Sequence, residues 1–371
     1  MSHFDVIVVG AGAIGAATTW KLALRGAKVL VLEREHVGHA RGSSHGGSRI
    51  YRQAYFEHPD YVPLLREAYE DWSSMPGIFA PTGAVYLGPA SSDLIAGSLR
   101  AAALHALRLE ALSPGDPRRR LFPGAASFEA LFEPTAGWVD PERAVRWMLD
   151  RAVSLGAHLR EGVRVLSLRS QPDRVTLDTD AGELTASKVV VCGGPWTKKL
   201  LENLPVALRV TRQAACWFEV PAADRHRLAA LPVFAIEDER GAFVYGFPID
   251  SEGLLKVASH DKGEVIDPDD VSRASHATDE DAPRGALQRY FGVDGWRLAR
   301  TSVCLYTNTP DGHYLLDRVP GERGVFFIGG TSGHGFKLAP VLGAAMAEIA
   351  LDGGTSRPVG FLALSRFEGA T

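Results

Sequence analysis

Asp5-Val6-Ile7-Val8-Val9-Gly10-Ala11-Gly12-Ala13-Ile14-Gly15 reads as a buried parallel strand that runs straight into a GxGxxG turn, and Ala16 to Arg25 then read as a helix. A second apolar strand, Lys28 to Leu32, ends on Glu33. Each part has a mechanical reason. Gly10 permits the tight turn, Gly12 lets backbone approach a pyrophosphate, and Gly15 lets helix and strand pack closely. The helix N-terminus then offers unpaired N–H groups and a positive dipole end to the phosphates. Glu33 follows at the distance from which a carboxylate accepts hydrogen bonds from a ribose. Strand, turn, helix, strand and acid in this order predict a dinucleotide-binding unit.

The chain has 371 residues, enough for two domains, and 46% of them are apolar, enough for a full core. A net charge of −4 gives no general attraction to nucleic acid or anionic membrane. The one basic run, Arg118 to Arg120, lies in a Pro-rich stretch and reads as a solvated turn. No apolar run reaches transmembrane length, and the apolar start is a strand rather than a secretory signal. Cys192, Cys216 and Cys304 make neither a disulfide framework nor a metal-ligand cluster. The expectation is therefore a cytoplasmic protein without a bound metal, monomeric or a small oligomer, with no nucleic-acid or membrane partner.

Further along, helices are expected at Tyr61 to Trp72, Leu94 to Leu112, Ala144 to Leu155 and Pro340 to Asp352. A meander is expected over 164–185, and a buried strand from Ser187 to Cys192. From Val206 the pattern turns to strands, at Leu208 to Glu219, Gly241 to Phe247 and Leu254 to His260, with sparse helix between them. The nucleotide-domain signature returns at Val325-Phe326-Phe327-Ile328-Gly329-Gly330. A second glycine-rich backbone beside the same ligand suits a flavin held along its whole length in a two-domain cleft. The predicted fold class is α/β plus α+β: a Rossmann-like FAD-binding domain (1–85, 138–205 and 300–371) interleaved with an antiparallel-sheet substrate domain (86–137 and 206–299).

Five segments carry further chemistry. They are Gly42 to Tyr55 (GSSHGGSRIYRQAY), Tyr245-Gly246-Phe247-Pro248, Gly253 to His260 (GLLKVASH), Cys304 to Asp311 (CLYTNTPD) and Gly333-His334-Gly335-Phe336-Lys337. In these segments, and in their order along nearly the whole chain, the sequence resembles the monomeric sarcosine oxidase family of flavoproteins, within the D-amino-acid-oxidase-like group. Taken alone, Cys304 near a strand end reads as a core thiol, as Cys192 and Cys216 do. The resemblance implies instead that Cys304 is bonded covalently to the 8α-methyl of FAD.

The resemblance also implies roles for the polar residues. Arg52 and Lys337, with Tyr306, would hold the substrate, and a planar guanidinium beside a compact ammonium suits a carboxylate. Arg49, His45 and Ser48 would lie near the flavin ring. Arg49 and Arg52 stand three apart, which puts them on one face of a helix or turn. Lys256 would activate oxygen by its charge. His260, on the same strand face as Lys256 by the period of two, would line the amine pocket with Tyr245. Gly10, Gly12, Ile14, Gly15, Glu33, Arg34, Ser43, Ser44, Val165, Gly193, Trp196, Gly333, Gly335 and Lys337 complete the expected cofactor set. Acid–base duty is not expected of His334, which lies between two glycines and reads as a loop support.

The implied reaction is oxidation of a secondary amino acid such as sarcosine to an imine, hydrolysed to amino acid and aldehyde, with O2 reduced to H2O2. The alternatives are N-methyltryptophan, pipecolate, proline or a fructosyl amino acid as substrate, and a dehydrogenase that passes electrons to another acceptor. A non-enzymatic FAD-binding assembly factor would not need Arg52, Lys337 and Lys256 together. Departures from the family pattern, Gly47-Ser48 ahead of Arg49 and Gln53 after Arg52, keep these charges and fall on the shape of the pocket.

Overall fold

The computed structural model describes residues 3–260 and 263–367; the outer ends of the expected domains, 1–2 and 368–371, and residues 261–262 lie outside the described residues. The strand Phe4–Val9 takes the centre of the first sheet. It pairs in parallel with Val29–Leu32 on one side and with Gly182–Val191 on the other. His158–Arg160 extends the parallel run beyond Val29–Leu32, and Val325–Gly329 extends it beyond the far half of Gly182–Val191. The near half of that long strand carries the antiparallel meander Val165–Ser170 and Val175–Thr179.

Alternation assigns each residue of the central strand to a layer. Val6 and Val8 face a core built with the helices Ala13–Leu24, Pro141–Ser154 and Ala339–Asp352. Ile7 and Val9 face a second core with Leu30, Leu32, Val189, Val191 and Phe327. Burial on both faces explains why these strands are continuous apolar runs rather than alternating ones.

The second sheet is mostly antiparallel and runs Arg209–Glu219, Leu254–Ser259, Phe243–Gly246, Val233–Glu237, Ala84–Gly88, Glu129–Glu133, with Leu298–Asn308 paired along the other edge of Arg209–Glu219. Its back face carries Cys216, Phe218, Leu255, Val257, Val244, Phe234, Ile236, Val85 and Leu87 in one apolar cluster. A small sheet of Arg49–Tyr51, Gly137–Val139 and Phe79–Ala80 lies between the two.

Several expectations change. The helix predicted over 94–112 is Asp93–His105, capped by the Ser92 hydroxyl. Ala106 is left-handed (φ 49°), which ends the helix, and Glu110–Ala111 becomes an edge strand against Leu131 and Phe132. The strands expected at 183–185 and 187–192 are one strand, Gly182–Val191. Val233–Glu237, expected in a region of sparse helix, is a fully buried strand. Arg49 lies on a strand and Arg52 just beyond its end, so no helical turn brings them together. Ala84–Gly88 crosses the expected boundary at 85 and Leu298–Asn308 the one at 300; both pair within the second sheet.

Candidate active site

The floor of a cavity of about 380 Å³ is the turn after the first strand, a volume within the range of small-molecule and cofactor sites. Gly10 has φ +98°, and a Cβ there would lie 2.5 Å from the Cys192 carbonyl oxygen. A Cβ on Gly15 would lie 1.8 Å from the Gly10 carbonyl oxygen. Backbone approaches backbone at both positions, so only glycine fits. Glu33 is buried and its carboxylate accepts from the backbone N–H of Ala11 (2.8 Å) and of Glu35 (2.9 Å). That fixes its oxygens at the cavity edge with lone pairs to spare for ribose hydroxyls. Ser44 Oγ accepts from the Ala13 N–H at 3.0 Å and ties the helix N-terminus to the 42–48 segment.

The roof is the front face of the second sheet. Strand register sets its side chains in rows. Tyr86, Ala235, Tyr245, Ala258, Ala215 and Ser302 are neighbours across the strands. Two residues along each strand, Trp217 pairs with Lys256; in the other direction Gln213 pairs with Cys304. Lys256, Tyr245, Cys304 and Tyr306 therefore share one face by alternation, while Cys216 faces the back and its thiol donates to the Asp279 carbonyl.

Two charged clusters stand in this cavity. In the first, Arg49 Nη2 donates to Cys304 Sγ (3.4 Å), and His45 Nε2 lies 3.7 Å from the same sulfur. Burial pushes the Cys304 thiol up, but Arg49, His45 and Lys256 outweigh it and bring it down to about 6. A thiol held so low is largely thiolate at neutral pH, the reactive form. Cys192, in an apolar setting, is pushed up by burial to about 12. Lys256 Nζ donates to the carbonyls of Gly46 (2.7 Å) and Ser48 (2.9 Å), and lies 4.6 Å from the Phe247 ring centre. Burial and then Arg49 hold this ammonium well below an ordinary lysine.

In the second cluster, Arg52 Nη2 contacts both oxygens of Glu57 at 2.5 and 2.7 Å, and Arg52 lies over the Tyr55 and Phe56 rings. Lys337 Nζ donates to the His334 carbonyl (2.7 Å). The backbone of Lys337 is fixed by Trp72, whose indole N–H donates to its carbonyl at 2.8 Å. Burial, then Arg52, push Lys337 down to about 7, against the pull of Glu57. Burial raises the Glu57 carboxyl, but Arg52, His334 and Lys337 bring it down to about 2. His334 is braced by the hydroxyls of Tyr55 and Tyr314 on Nδ1 and by the Gly312 carbonyl on Nε2, the loop support expected of it.

The chain matches the model of the family described as FAD dependent oxidoreductase over residues 5–349. It belongs to the FAD dependent oxidoreductase family. It is 35% identical to a monomeric sarcosine oxidase of Bacillus sp. (strain B-0618), over 98% of this chain and 96% of that one. It is 32% identical to an N-methyl-L-tryptophan oxidase of Escherichia coli (strain K12 / DH10B), over 98% and 100%. The solved structure of NikD, described as an unusual amino acid oxidase essential for nikkomycin biosynthesis, superposes with a TM-score of 0.85 at 25% identity, over 98% of each chain.

The site fits FAD: a glycine turn closed to any Cβ, and a buried acid at the ribose distance along the chain. Most residues expected to serve the flavin oxidoreductase line this one cavity, including Ile14, Arg34, Ser43, Val165, Gly193, Trp196, Gly333 and Gly335. His260, Tyr245, Tyr306, Arg52, Lys337, Lys256 and Cys304 line it too. Gly15, His45 and Ser48 do not. Gly15 lies beneath the turn as a packing residue, His45 reaches Cys304 from behind, and Ser48 offers its carbonyl and hydroxyl to Lys256. The sequence reading missed Glu57, Glu142, Phe56 and Trp217. Glu142 accepts from the Gly46 and Gly47 N–H groups and holds the 46–48 segment in place from 96 residues away. Glu57 lay five residues past Arg52, and an acid that near a buried arginine was the available signal. Among the described residues, no group of three or more His, Cys, Asp or Glu is arranged to hold a metal, and no helix is long and apolar enough to cross a membrane.

Proposed function

We propose that this flavoprotein oxidises a secondary (N-methyl) amino acid with oxygen as electron acceptor. One mole each of N-methyl amino acid, O2 and water gives the amino acid, formaldehyde and H2O2. The observation that carries this reading is the second charged cluster. Two buried cations, Arg52 and Lys337, line the same cavity as the Cys304–Arg49–Lys256 cluster. Burying such cations is costly without an anion to meet them, and Glu57 supplies only one negative charge. A substrate carboxylate supplies the second.

FAD, when bound, supplies the two-electron acceptance that amino-acid side chains lack. The protein supplies position and field. Arg52 and Lys337 hold the carboxylate, which fixes the α-carbon; the anion shares Arg52 with Glu57 or displaces it. His260, 3.3 Å from the Tyr306 hydroxyl, and Tyr245 border the amine. Arg49 and Lys256 concentrate positive charge beside Cys304, which favours negative charge on the ring and on oxygen as it is reduced. Cys304, with its low-lying thiolate, would hold the flavin covalently at the 8α-methyl; one C–H of that methyl would be lost, and O2, the acceptor of the proposed reaction, would take up the electron pair. Three cysteines without a disulfide support a cytoplasmic location, and the word monomeric in the relative's name supports a monomer.

Peroxide release across sarcosine, N-methyltryptophan, pipecolate, proline and a fructosyl amino acid tests the reaction. Bleaching of the flavin by these substrates without peroxide would assign the electrons to another acceptor. Acid-precipitated protein should stay yellow and Cys304→Ala should lose that colour; a white wild-type pellet refutes the covalent link.

A further inference from the structure

Within the row that crosses the roof, one position is small where both neighbours are large. Ala235 pairs with Tyr86 on one side and with Tyr245 on the other. All three line the cavity, as do Val233 and Phe247 in the next row. The missing side-chain volume at Ala235 leaves a notch between two tyrosine rings. Phe56 closes it from the segment below; its ring lies 5.6 Å from that of Phe243, and the Arg52 guanidinium lies 4.5 Å over it. The notch thus adjoins the carboxylate anchor.

The polar atoms around the notch are engaged elsewhere. The Tyr86 hydroxyl donates to Glu133 at 2.6 Å, away from the cavity. Tyr245 is hydrogen-bonded to Tyr306. Glu237, two residues along from Ala235, accepts from the backbone N–H of Leu94 at the start of its helix and does not line the cavity. What faces the notch is ring carbon and aliphatic carbon. A polar or charged group buried there would lose its water for no partner.

We propose that the notch at Ala235 receives the side chain of the substrate, and that this side chain is a bulky apolar or aromatic group rather than the hydrogen of a glycine derivative. This rests on the amino-acid reading above: a carboxylate held at Arg52 would bring the α-carbon near Phe56, and the apolar wall of Val233, Ala235 and Phe247, against which Phe56 packs, would take its substituent. Ala235 sets specificity by its size.

The test is a series of N-methyl amino acids, sarcosine, N-methylalanine, N-methylleucine and N-methylphenylalanine, assayed for peroxide and for anaerobic flavin bleaching with the purified holoenzyme. The ratio of kcat/KM for N-methylphenylalanine over sarcosine should exceed about tenfold, the discrimination that one well-filled apolar pocket gives. Ala235→Leu should lower that ratio by about tenfold or more, and Ala235→Val, a smaller step, should lower it in the same direction should the leucine variant fold poorly. The ratio is read within one preparation, so a loss of folded protein cancels. Turnover of sarcosine with none of the larger substrates, or a ratio unmoved by both substitutions, overturns the notch and leaves the amino-acid reading standing. No peroxide and no bleaching with any member of the series overturns the amino-acid reading, and the notch with it.

Discussion

In the floor of the cavity, Gly10, Gly12 and Gly15 act within six residues of one another and act through backbone. In the roof, Tyr86, Ala235, Tyr245, Lys256 and Cys304 come from separate strands across most of the chain and act through side chains. The floor depends on atoms that are missing. A Cβ on Gly15 would sit 1.8 Å from the Gly10 carbonyl, whereas a Cβ on Gly12 would be 3.2 Å from the movable Ser44 hydroxyl. The roof depends on register: a slip of one residue in the pairing of Arg209–Glu219 with Leu254–Ser259 would turn Lys256 to the back face and bring Leu255 to the front. Such a difference predicts that the floor is broken by adding a single carbon and the roof by removing a charge.

The largest effect should therefore come from Gly15→Ala. Overpacking costs about 1–3 kcal/mol where side chains can yield; here the obstacle is the carbonyl of the turn itself, so the cost should exceed that range. The variant should purify without flavin and melt well below the parent. Gly354→Ala, with no atom within 4 Å of the added carbon, is the matched control. A Gly15→Ala protein with full flavin content would mean that the turn can open without loss, and the backbone account of the floor would be wrong.

The roof should answer next, through Lys256. Lys256→Met keeps the length of the chain and removes the charge, while the Gly46 carbonyl still accepts from the Ser48 N–H and the Ser48 carbonyl from Arg49. Loss of one preorganised electrostatic group costs about 100- to 1,000-fold in the step it serves. Reoxidation of reduced flavin by oxygen should slow by that order in stopped flow, with anaerobic reduction by substrate affected far less. Equal slowing of both half-reactions would make Lys256 a support for the 46–48 segment.

The same division decides how much was legible beforehand. The floor is contiguous, so its strand, turn, helix and acid are all visible within the first 33 residues. The roof residues were found by local motifs that resemble a family, since nothing in the spacing of 256, 304 and 337 says that they meet. What lay outside any motif was missed. Ala235 sits on a strand, Val233–Glu237, that is buried on both faces and too short to announce its period. The helix that starts at Asp93 stops before the apolar pattern does, because the left-handed Ala106 that ends it carries no glycine signal. Glu57 was missed because an acid beside an anchoring arginine runs against the expected role of that arginine.

That pairing shapes the third prediction. Arg52→Ala should weaken binding of a carboxylate inhibitor by about 30-fold or more, because removing one partner of a buried charge pair costs about 2–5 kcal/mol at ~1.4 kcal/mol per decade. It also strands the partly buried Glu57 carboxylate, so the loss has two sources. The double variant Arg52→Ala/Glu57→Gln separates them. Binding should stay weak in the double variant while the melting temperature recovers. Recovery of binding as well would show that Glu57 repulsion, and not the missing guanidinium, had excluded the ligand, and the carboxylate anchor would have to be moved to Lys337.

The smallest effect should be a pH dependence within this cluster. Lys337 is held down to about 7, so it is charged below that value and neutral above it. A substrate carboxylate is an anion throughout. Its affinity should therefore be full below about pH 6 and fall as pH rises through 7, by about tenfold over the range, since a displacement of one pKa unit corresponds to ~1.4 kcal/mol. Glu57 at about 2 and His334 at about 3 titrate too low to produce such a change. Folding stability should move the other way. A lysine whose folded pKa is depressed leaves the unfolded chain holding more protons between about 7 and its unfolded value near 10.4, so the contribution of Lys337 to stability rises with pH across that window. Lys337→Met should flatten the affinity profile and remove the same slope from the stability profile. If the methionine variant keeps the wild-type fall in affinity near pH 7, Lys337 is not the titrating group, and its place in the carboxylate anchor falls with it.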